Sequence, residues 1–491
     1  MSTLNGFRLG GRRSLLALAG LSITSAVLML TQADGLVLGA WGDRLSSGLD
    51  APYRYPFSVS ISGSATARLE QEIAHFQERV RQMPAQSIAQ GIEQSALALS
   101  YLKMARLSGQ SHWYLLADQA AQEALGSMPD NPEAIAVLAR IAEAQHSFSG
   151  ALALAERLGG SKEALGIQVS AYLAMGNLKA AAEAGDRLVD LTLSPVAFTQ
   201  QALVRVAQGD DTGALQSFQY ALEVEEAGDL SSAARTRTLL GRFHYERGQL
   251  NLAEALYQEA LRILPSYAPA RLNLAQLALR RGRYRLAAKY YRQVEEMGSA
   301  ATLYAPLVQR GQARLKQLQN QPEAAIAHWA NAERQLRQTL AATAADPGSP
   351  SSGSSNSDSP SSGSLNSGSF GFGHQRDLAR LLLERGNPED TSEALRLMEA
   401  EVRQRRDADT LDTYAWALSQ AGRWQEARQV VQEAIALGTR DAALCDRAAQ
   451  IEEALGNPAQ AAAYRQQALE IDPQFDQNAQ NAVGLGAGLG S

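Results

Sequence analysis

A period of roughly 34 residues constrains this chain more than any other feature. Ten alanines, Ala117, Ala151, Ala181, Ala214, Ala253, Ala287, Ala325, Ala394, Ala427 and Ala461, recur with eight of the nine gaps between 30 and 39 residues. A glycine recurs five positions ahead: Gly209 precedes Ala214, Gly248 precedes Ala253, Gly282 precedes Ala287, Gly422 precedes Ala427 and Gly456 precedes Ala461. A turn residue followed at fixed distance by a small residue, at this period, predicts helix–turn–helix units stacked in series. One unit cannot bury its apolar face alone. A stack of them presents an extended groove rather than a closed catalytic pocket.

Residues 234–267 show how a unit is built. Leu240 and Gly241 fall in a first helix, Gly248 breaks the chain, and Ala253, Tyr257 and Ala260 share one face of a second helix. Small residues at Gly241 and Ala253 let the two helices approach, and Tyr257 fills the space against the next pair. Pro265 has no amide hydrogen for a further helical turn and ends the unit. Composition agrees with an all-helical chain: alanine, leucine, glutamine, glutamate and arginine dominate, and proline numbers only 16 of 491 residues. The one cysteine, Cys445, excludes an internal disulfide and reads as a small buried residue.

The unit resembles the tetratricopeptide repeat, a helix pair of about 34 residues with small residues at set positions, an aromatic in the second helix and a closing proline. Residues 442–475 match it with Ala449, Gly456, Ala461, Ala468 and Pro473, and residues 408–441 with Ala415, Gly422, Ala427 and Ala434. The copy from Ala268 carries Ala275, Gly282, Ala287 and Tyr291, and the copy from Pro195 carries Gly209, Ala214, Phe218 and Ala221. Gly185 departs from the pattern where an aromatic belongs, and Ser299 stands for a closing proline. The resemblance covers most of residues 66–475. It implies an all-α, right-handed α-solenoid in two arrays, whose family role is to hold segments of other proteins in a concave groove.

The arrays are expected at 66–341 and 374–475, with a flexible tail at 476–491. Leu69, Ile73, Phe76 and Val80 predict an amphipathic opening helix that caps the first. Between the arrays, 342–373 is a Ser/Gly-rich linker with too little apolar surface to offset the cost of ordering it. The gap from Ala325 to Ala394, 69 residues, equals about one repeat plus the insert. The insert is therefore expected between complete repeats, leaving the second array mobile unless the ends dock. Residues 34–65, broken by Pro52 and Pro56, read as a stem.

Arg8, Arg12 and Arg13 precede an uncharged, mostly apolar stretch from Ser14 to Ala33. Residues 1–33 are thus either a signal anchor or a signal peptide cleaved after Ala33. Arg12 and Arg13 also resemble a twin-arginine export signal. The expected location is the cell membrane, with one N-terminal span and extracytoplasmic repeats, or a soluble periplasmic or secreted form after cleavage.

Charge is concentrated. Residues 234–341 hold 17 Lys+Arg against 7 Asp+Glu, while the whole chain carries −6. The resemblance puts Arg235, Arg242, Asn273, Gln276, Arg280, Arg310 and Arg314 on the concave face, as a groove for acidic or carboxylate-bearing protein segments. The alternative is a solvated helix face. One subclass of the family clamps the C-terminal carboxylates of heat-shock chaperones; at the matching positions stand Thr238, Arg242, Asn273, Leu307 and Gly311, of which only Asn273 fits. Nucleic acid is not expected as a partner, because no aromatic platform is interleaved with these arginines.

No chemistry-bearing constellation stands out, so no enzyme, metal or cofactor is expected. His75, His112, His146, His244, His328 and His374 lack a second ligand at i+3 or i+4. The adjacent pairs Glu225/Glu226 and Glu452/Glu453 point to different helix faces. The glycines from Gly484 to Gly490 lack the lysine of a phosphate loop. Trp329, Trp416 and Trp424 read as core. The functional expectation is a non-catalytic scaffold or assembly factor, exported or membrane-anchored; the alternative is an envelope component that binds anionic lipid or polysaccharide through residues 234–341.

Overall fold

Ten helical hairpins follow one another along the chain. A computed structural model describes residues 53–59, 65–297, 303–345 and 375–486. Residues 1–33, most of the stem, most of the Ser/Gly-rich linker and the last five residues of the tail lie outside the described residues. An opening helix α1 (Ala65–Gln82) precedes the pairs α2/α3 (Ile88–Ser108, His112–Ser127), α4/α5 (Pro132–Ala144, Phe148–Arg157) and α6/α7 (Lys162–Ala174, Leu178–Leu191). Next come α8/α9 (Pro195–Ala207, Asp211–Glu223), α10/α11 (Leu230–Glu246, Leu250–Ile263), α12/α13 (Ala268–Arg280, Tyr284–Glu295) and α14/α15 (Ala305–Leu318, Pro322–Ala345). The last pairs are α16/α17 (Gln375–Arg385, Thr391–Glu401), α18/α19 (Ala408–Gln420, Trp424–Ala436) and α20/α21 (Ala442–Ala454, Pro458–Ile471), followed by a short α22 (Gln477–Ala482). Among the described residues there is no strand, and the architecture is an all-α solenoid.

Local chemistry starts each helix where it starts. Side-chain oxygens of Ser87, Asn131, Ser161, Asn177, Ser194, Asp210, Asp229, Asp407 and Asp441 accept from the first free helical amides, each worth about 1 kcal/mol. Inside the hairpins the turn residue is left-handed. Gly176, Gly209, Gly248, Gly282, Gly422 and Gly456 take φ between 66° and 78°, a region that costs glycine nothing. His146 (φ 62°) and Asn320 (φ 58°) take the same conformation five residues before Ala151 and Ala325. They are the turn residues of the hairpins that lack the glycine.

The periodic alanines are the fulcrum of the packing. Each lies on the second helix of its hairpin, and all are fully buried apart from 2% exposure at Ala325. The partner helix is correspondingly close. A Cβ on Gly241 would lie 2.6 Å from the Tyr257 ring, and that ring, fully buried, also packs with Leu274 and Leu277 of the following hairpin. The expected role of Tyr257 holds, and α11 ends at Ile263, ahead of Pro265.

Residues 51–491 form one compact unit, because the solenoid returns onto itself. The Leu303 amide donates to the Gly109 carbonyl at 2.8 Å. Further along, three successive hairpin turns of the first array meet three successive inter-hairpin loops of the second: Gly176 abuts the Arg406 backbone, Gly209 the Gly438 carbonyl and Gly248 the Asp472 carboxylate. Thr439 Oγ1 also donates to the Ala207 carbonyl at 2.7 Å. The arrays are continuous across the insert as well, since Trp329 and Leu336 of α15 share an apolar cluster with Leu378, Leu381 and Leu382 of α16.

Part of the stem docks too. Tyr53 O accepts from Arg237 Nε at 2.7 Å, the Tyr55 amide donates to Glu259 at 2.9 Å, and the Tyr55 hydroxyl donates to Glu226 O at 3.0 Å.

One expectation is overturned. Among the described residues no helix is long and apolar enough to cross a membrane, and the stretch from Ser14 to Ala33 that motivated a span lies outside them. The membrane location, and the exported alternative that rested on the same stretch, are withdrawn. The physical reason is amphipathicity: hairpin helices bury one alanine-rich face and leave charged residues on the other, so none is apolar all round.

Candidate functional site

The residues expected to line the groove lie on the first helices of their hairpins, and most of them are already engaged by the chain itself. Arg242 on α10 donates through Nε to Glu246 at 2.6 Å and bonds Gln276 of α12. Gln276 is fully buried and donates through Nε2 to the Ala482 carbonyl of α22 at 2.6 Å. Asn273, one turn earlier, donates to the Pro269 carbonyl at 2.8 Å, while its Oδ1 is buried with no donor among the described residues.

Arg280 is the densest node. Its Nη2 reaches Asp472 at 2.7 Å and the Gln474 carbonyl at 3.1 Å, its Nη1 the Tyr245 carbonyl at 3.2 Å. Both Arg280 and Arg242 sit 5.2 Å from the Tyr245 ring centroid. Burial pushes the Asp472 carboxyl above its ordinary value, and Arg280 only partly offsets this. Around Arg242, Gln276 and Arg280 the residual cavity is about 50 Å³, room for a water or two.

Arg310 and Arg314 of α14 face α16. Arg310 is 2% exposed and forms a bidentate pair with Glu384 at 2.7 and 3.3 Å. Burial raises the Glu384 pKa, but the charges of Arg310, Arg380 and Arg314 outweigh it and hold the carboxyl below its usual value. Arg314 donates to Gln317 and stands 6.0 Å over the Trp329 ring, with its Nε buried and unpaired. It lines a polar cavity of about 220 Å³ with Arg380, Trp416, Arg447 and residues of the C-terminal segment.

Arg235 differs from the rest. It lies in an electrostatic group with Arg140 of α4, which in turn interacts with Arg106 of α2. Loss of bulk water, followed by the neighbouring Arg140 charge, holds the Arg106 guanidinium below its ordinary pKa although solvent reaches it. Desolvation likewise lowers Arg235, with Arg140 adding repulsion. The nearby carboxylate, Glu143, is taken by Arg140 at 2.9 Å. Arg106 and Arg235 make no hydrogen bond or ion pair among the described residues. Sequence reasoning passed over Arg106 and Arg140 because they precede the basic segment. The period, which puts both on first helices, was the signal that could have found them.

Two further chemistry-bearing groups, His244 and Cys445, lie in the packing. His244 is buried, hydrogen-bonds Gln249 through Nδ1, and has its pKa lowered to about 4 by burial. Burial pushes the Cys445 thiol up to about 11, which makes it inert as a nucleophile. Trp329 is in the core, and Trp416 carries the Arg447 guanidinium 4.7 Å above its ring. Among the described residues no group of His, Cys, Asp and Glu is placed to hold a metal.

Comparison with known proteins bears on the repeats. Residues 442–475, the hairpin α20/α21 and its closing loop, match the model of the tetratricopeptide repeat. This hairpin is thus a tetratricopeptide-type repeat, of a kind that serves protein–protein interaction, set in an all-α solenoid. Among solved structures the chain is similar to a tetratricopeptide repeat protein from Parabacteroides merdae, at 17% identity over 50% of this chain and 93% of that one, TM-score 0.35. It is also similar to pilF from Pseudomonas aeruginosa, at 18% identity over 50% of this chain and 95% of that one, TM-score 0.26. No curated protein matches the chain.

Proposed function

We propose that this protein is a non-catalytic scaffold that holds an acidic or carboxylate-bearing segment of another protein on its concave face, with Arg106, Arg140 and Arg235 as the receiving group. What supports the reading is that Arg106 and Arg235, each in the field of Arg140, make no hydrogen bond or ion pair among the described residues, while Glu143 is held by Arg140. An incoming carboxylate relieves both the repulsion and the missing hydrogen bonds, and guanidinium forks favour it over a neutral ligand. Of the other groove arginines, Arg242, Arg280 and Arg310 have carboxylates within the chain, and Arg314 lies by Glu384.

Fluorescence anisotropy with a labelled glutamate-rich peptide tests the reading. Binding is expected to weaken with rising ionic strength and to fall by about tenfold or more, ~1.4 kcal/mol, in the Arg106→Glu/Arg235→Glu variant. A peptide that binds the variant as tightly as the parent protein overturns the assignment, and so does preference for single-stranded DNA over the peptide.

A further inference from the structure

The chain after α21 bridges its own hairpin and the first array. Gln480 donates to Asp446 of α20 at 2.9 Å, while α22 packs on α12, where the Gln276 amide donates to the Ala482 carbonyl 206 residues away in sequence. Leu485, 1% exposed, and Ala482, fully buried, join the apolar cluster of Leu272, Ala275 and Leu279. Gly486 lies against the side-chain amides of Asn273 and Gln276, which would have to move to admit a Cβ, and Gly484, at φ 70°, lies against the Arg380 guanidinium. Residues that the family pattern assigns to partner contact are thus covered by the chain's own end.

We propose that the inner face of α12 is a docking surface for a short segment rich in small residues, and that residues 476–486 are its resident occupant, a strap that a partner must displace. Three observations support this. A six-residue helix cannot stand alone in water, so α22 is ordered by its seat and melts on leaving it. Ala479, Ala482, Gly484 and Gly486 keep the contact close, Leu485 is its large apolar anchor, and a carbonyl supplies the polar bond to α12, which is how a groove takes a segment largely by its backbone. Among the described residues Asn273 Oδ1 is buried without a donor, so a competing segment that brings an N–H to that oxygen gains a bond residues 476–486 do not make. This inference is independent of the arginine group at Arg106 and Arg235, which lies on other helices.

Hydrogen exchange on the full-length chain is the test. Amides of 478–485 are expected to exchange at least about tenfold faster than those of α12 and α20 while the rest of the solenoid stays protected. Exchange of the strap in step with α12 overturns the proposal, since the segment is then permanent core. A labelled peptide of residues 476–486 supplies the second readout. It is expected to bind a chain ending at Phe475, and an Ala482→Glu/Leu485→Glu full-length variant, at least about tenfold more tightly than the unaltered protein. Gln276→Leu in either background is expected to abolish that gain. Equal binding to all forms, or to none, overturns it, and the exchange measurement decides if the shortened chain does not fold.

Discussion

Arg310 of α14 and Glu384 of α16, 74 residues apart in sequence, form a bidentate ion pair with both side chains almost wholly buried. It joins the two sides of the serine- and glycine-rich insert. Removing one partner of such a pair strands a charge, which costs about 3–5 kcal/mol, whereas replacing both with apolar residues is often neutral. Glu384→Gln is therefore expected to lower the stability of the chain more than Arg310→Met/Glu384→Leu does. Urea denaturation of the two variants checks this, and an equal or larger loss in the double variant would show the pair to be a net contributor.

The glycines of the hairpin turns separate two effects that a single substitution confounds. Gly209 and Gly282 share a left-handed φ, 75° and 66°, but a Cβ collides with the Gly438 carbonyl at the first and meets nothing within 4 Å at the second. Gly282→Ala is expected to cost only the conformational penalty of about 1–2 kcal/mol. Gly209→Ala adds the loss of contact between the arrays, and should also raise proteolysis at the loop around Gly438. Equal melting points for the two variants would contradict the docking described here.

His244 supplies a pH dependence with a definite sign. Burial lowers its pKa to about 4 from an unfolded value near 6.5, so the unfolded chain takes up a proton that the folded imidazole refuses. Stability from this group is complete above pH 6.5 and declines as the pH falls toward 4, by an amount of the order of 2–4 kcal/mol. In His244→Gln the decline between those values should be smaller than in the parent. Parallel stability curves would remove His244 as the cause.

Asp441 acts in the opposite direction. Burial, then the charges of Glu246, Asp409 and Asp412, raise its carboxyl to about 6 from 3.8. The folded state holds this proton longer than the unfolded chain, so stability is lost as the pH rises from about 4 to 6 and stays lost above. Asn keeps the cap on the Ala443 and Leu444 amides without the charge. Asp441→Asn is expected to stabilise the protein by roughly 1–3 kcal/mol at pH 7 and by nothing at pH 4. Because the two groups oppose one another between pH 4 and 6, each is visible only through its own variant.

Tyr291 fills the seat opposite Gly311, and its hydroxyl is buried without a hydrogen-bond partner among the described residues. Burial raises its pKa, so the hydroxyl stays neutral. Tyr291→Phe keeps the ring and deletes the unpaired group, and is expected to raise stability by about 1 kcal/mol. A loss of that size in a thermal melt would mean that the oxygen has a partner after all.

Most of the fold was legible because its repeat is local. The turn glycines, the alanines five positions on and Tyr257 act within one hairpin or between neighbours, where spacing of three to five residues sets the contact. His146 and Asn320 escaped because neither residue type signals a left-handed turn as glycine does. The candidate groove was legible only by position. That Arg235 lies on the first helix of its hairpin follows from its place in the repeat; that Arg140 lies near it, and that Arg280 is consumed by Asp472, depends on residues far away in the chain.

The sequence by itself determined the unit: a small-residue period that allows two helices to approach, with caps and turns that start and stop them. Tertiary structure alone decided how the units close up. The pairings of Gly176 with Arg406, Gly209 with Gly438 and Gly248 with Asp472 arise from small rotations accumulated over many hairpins, so no local pattern encodes them. The same winding decides which of these arginines meet a carboxylate within the chain, as Arg280 meets Asp472 and Arg310 meets Glu384.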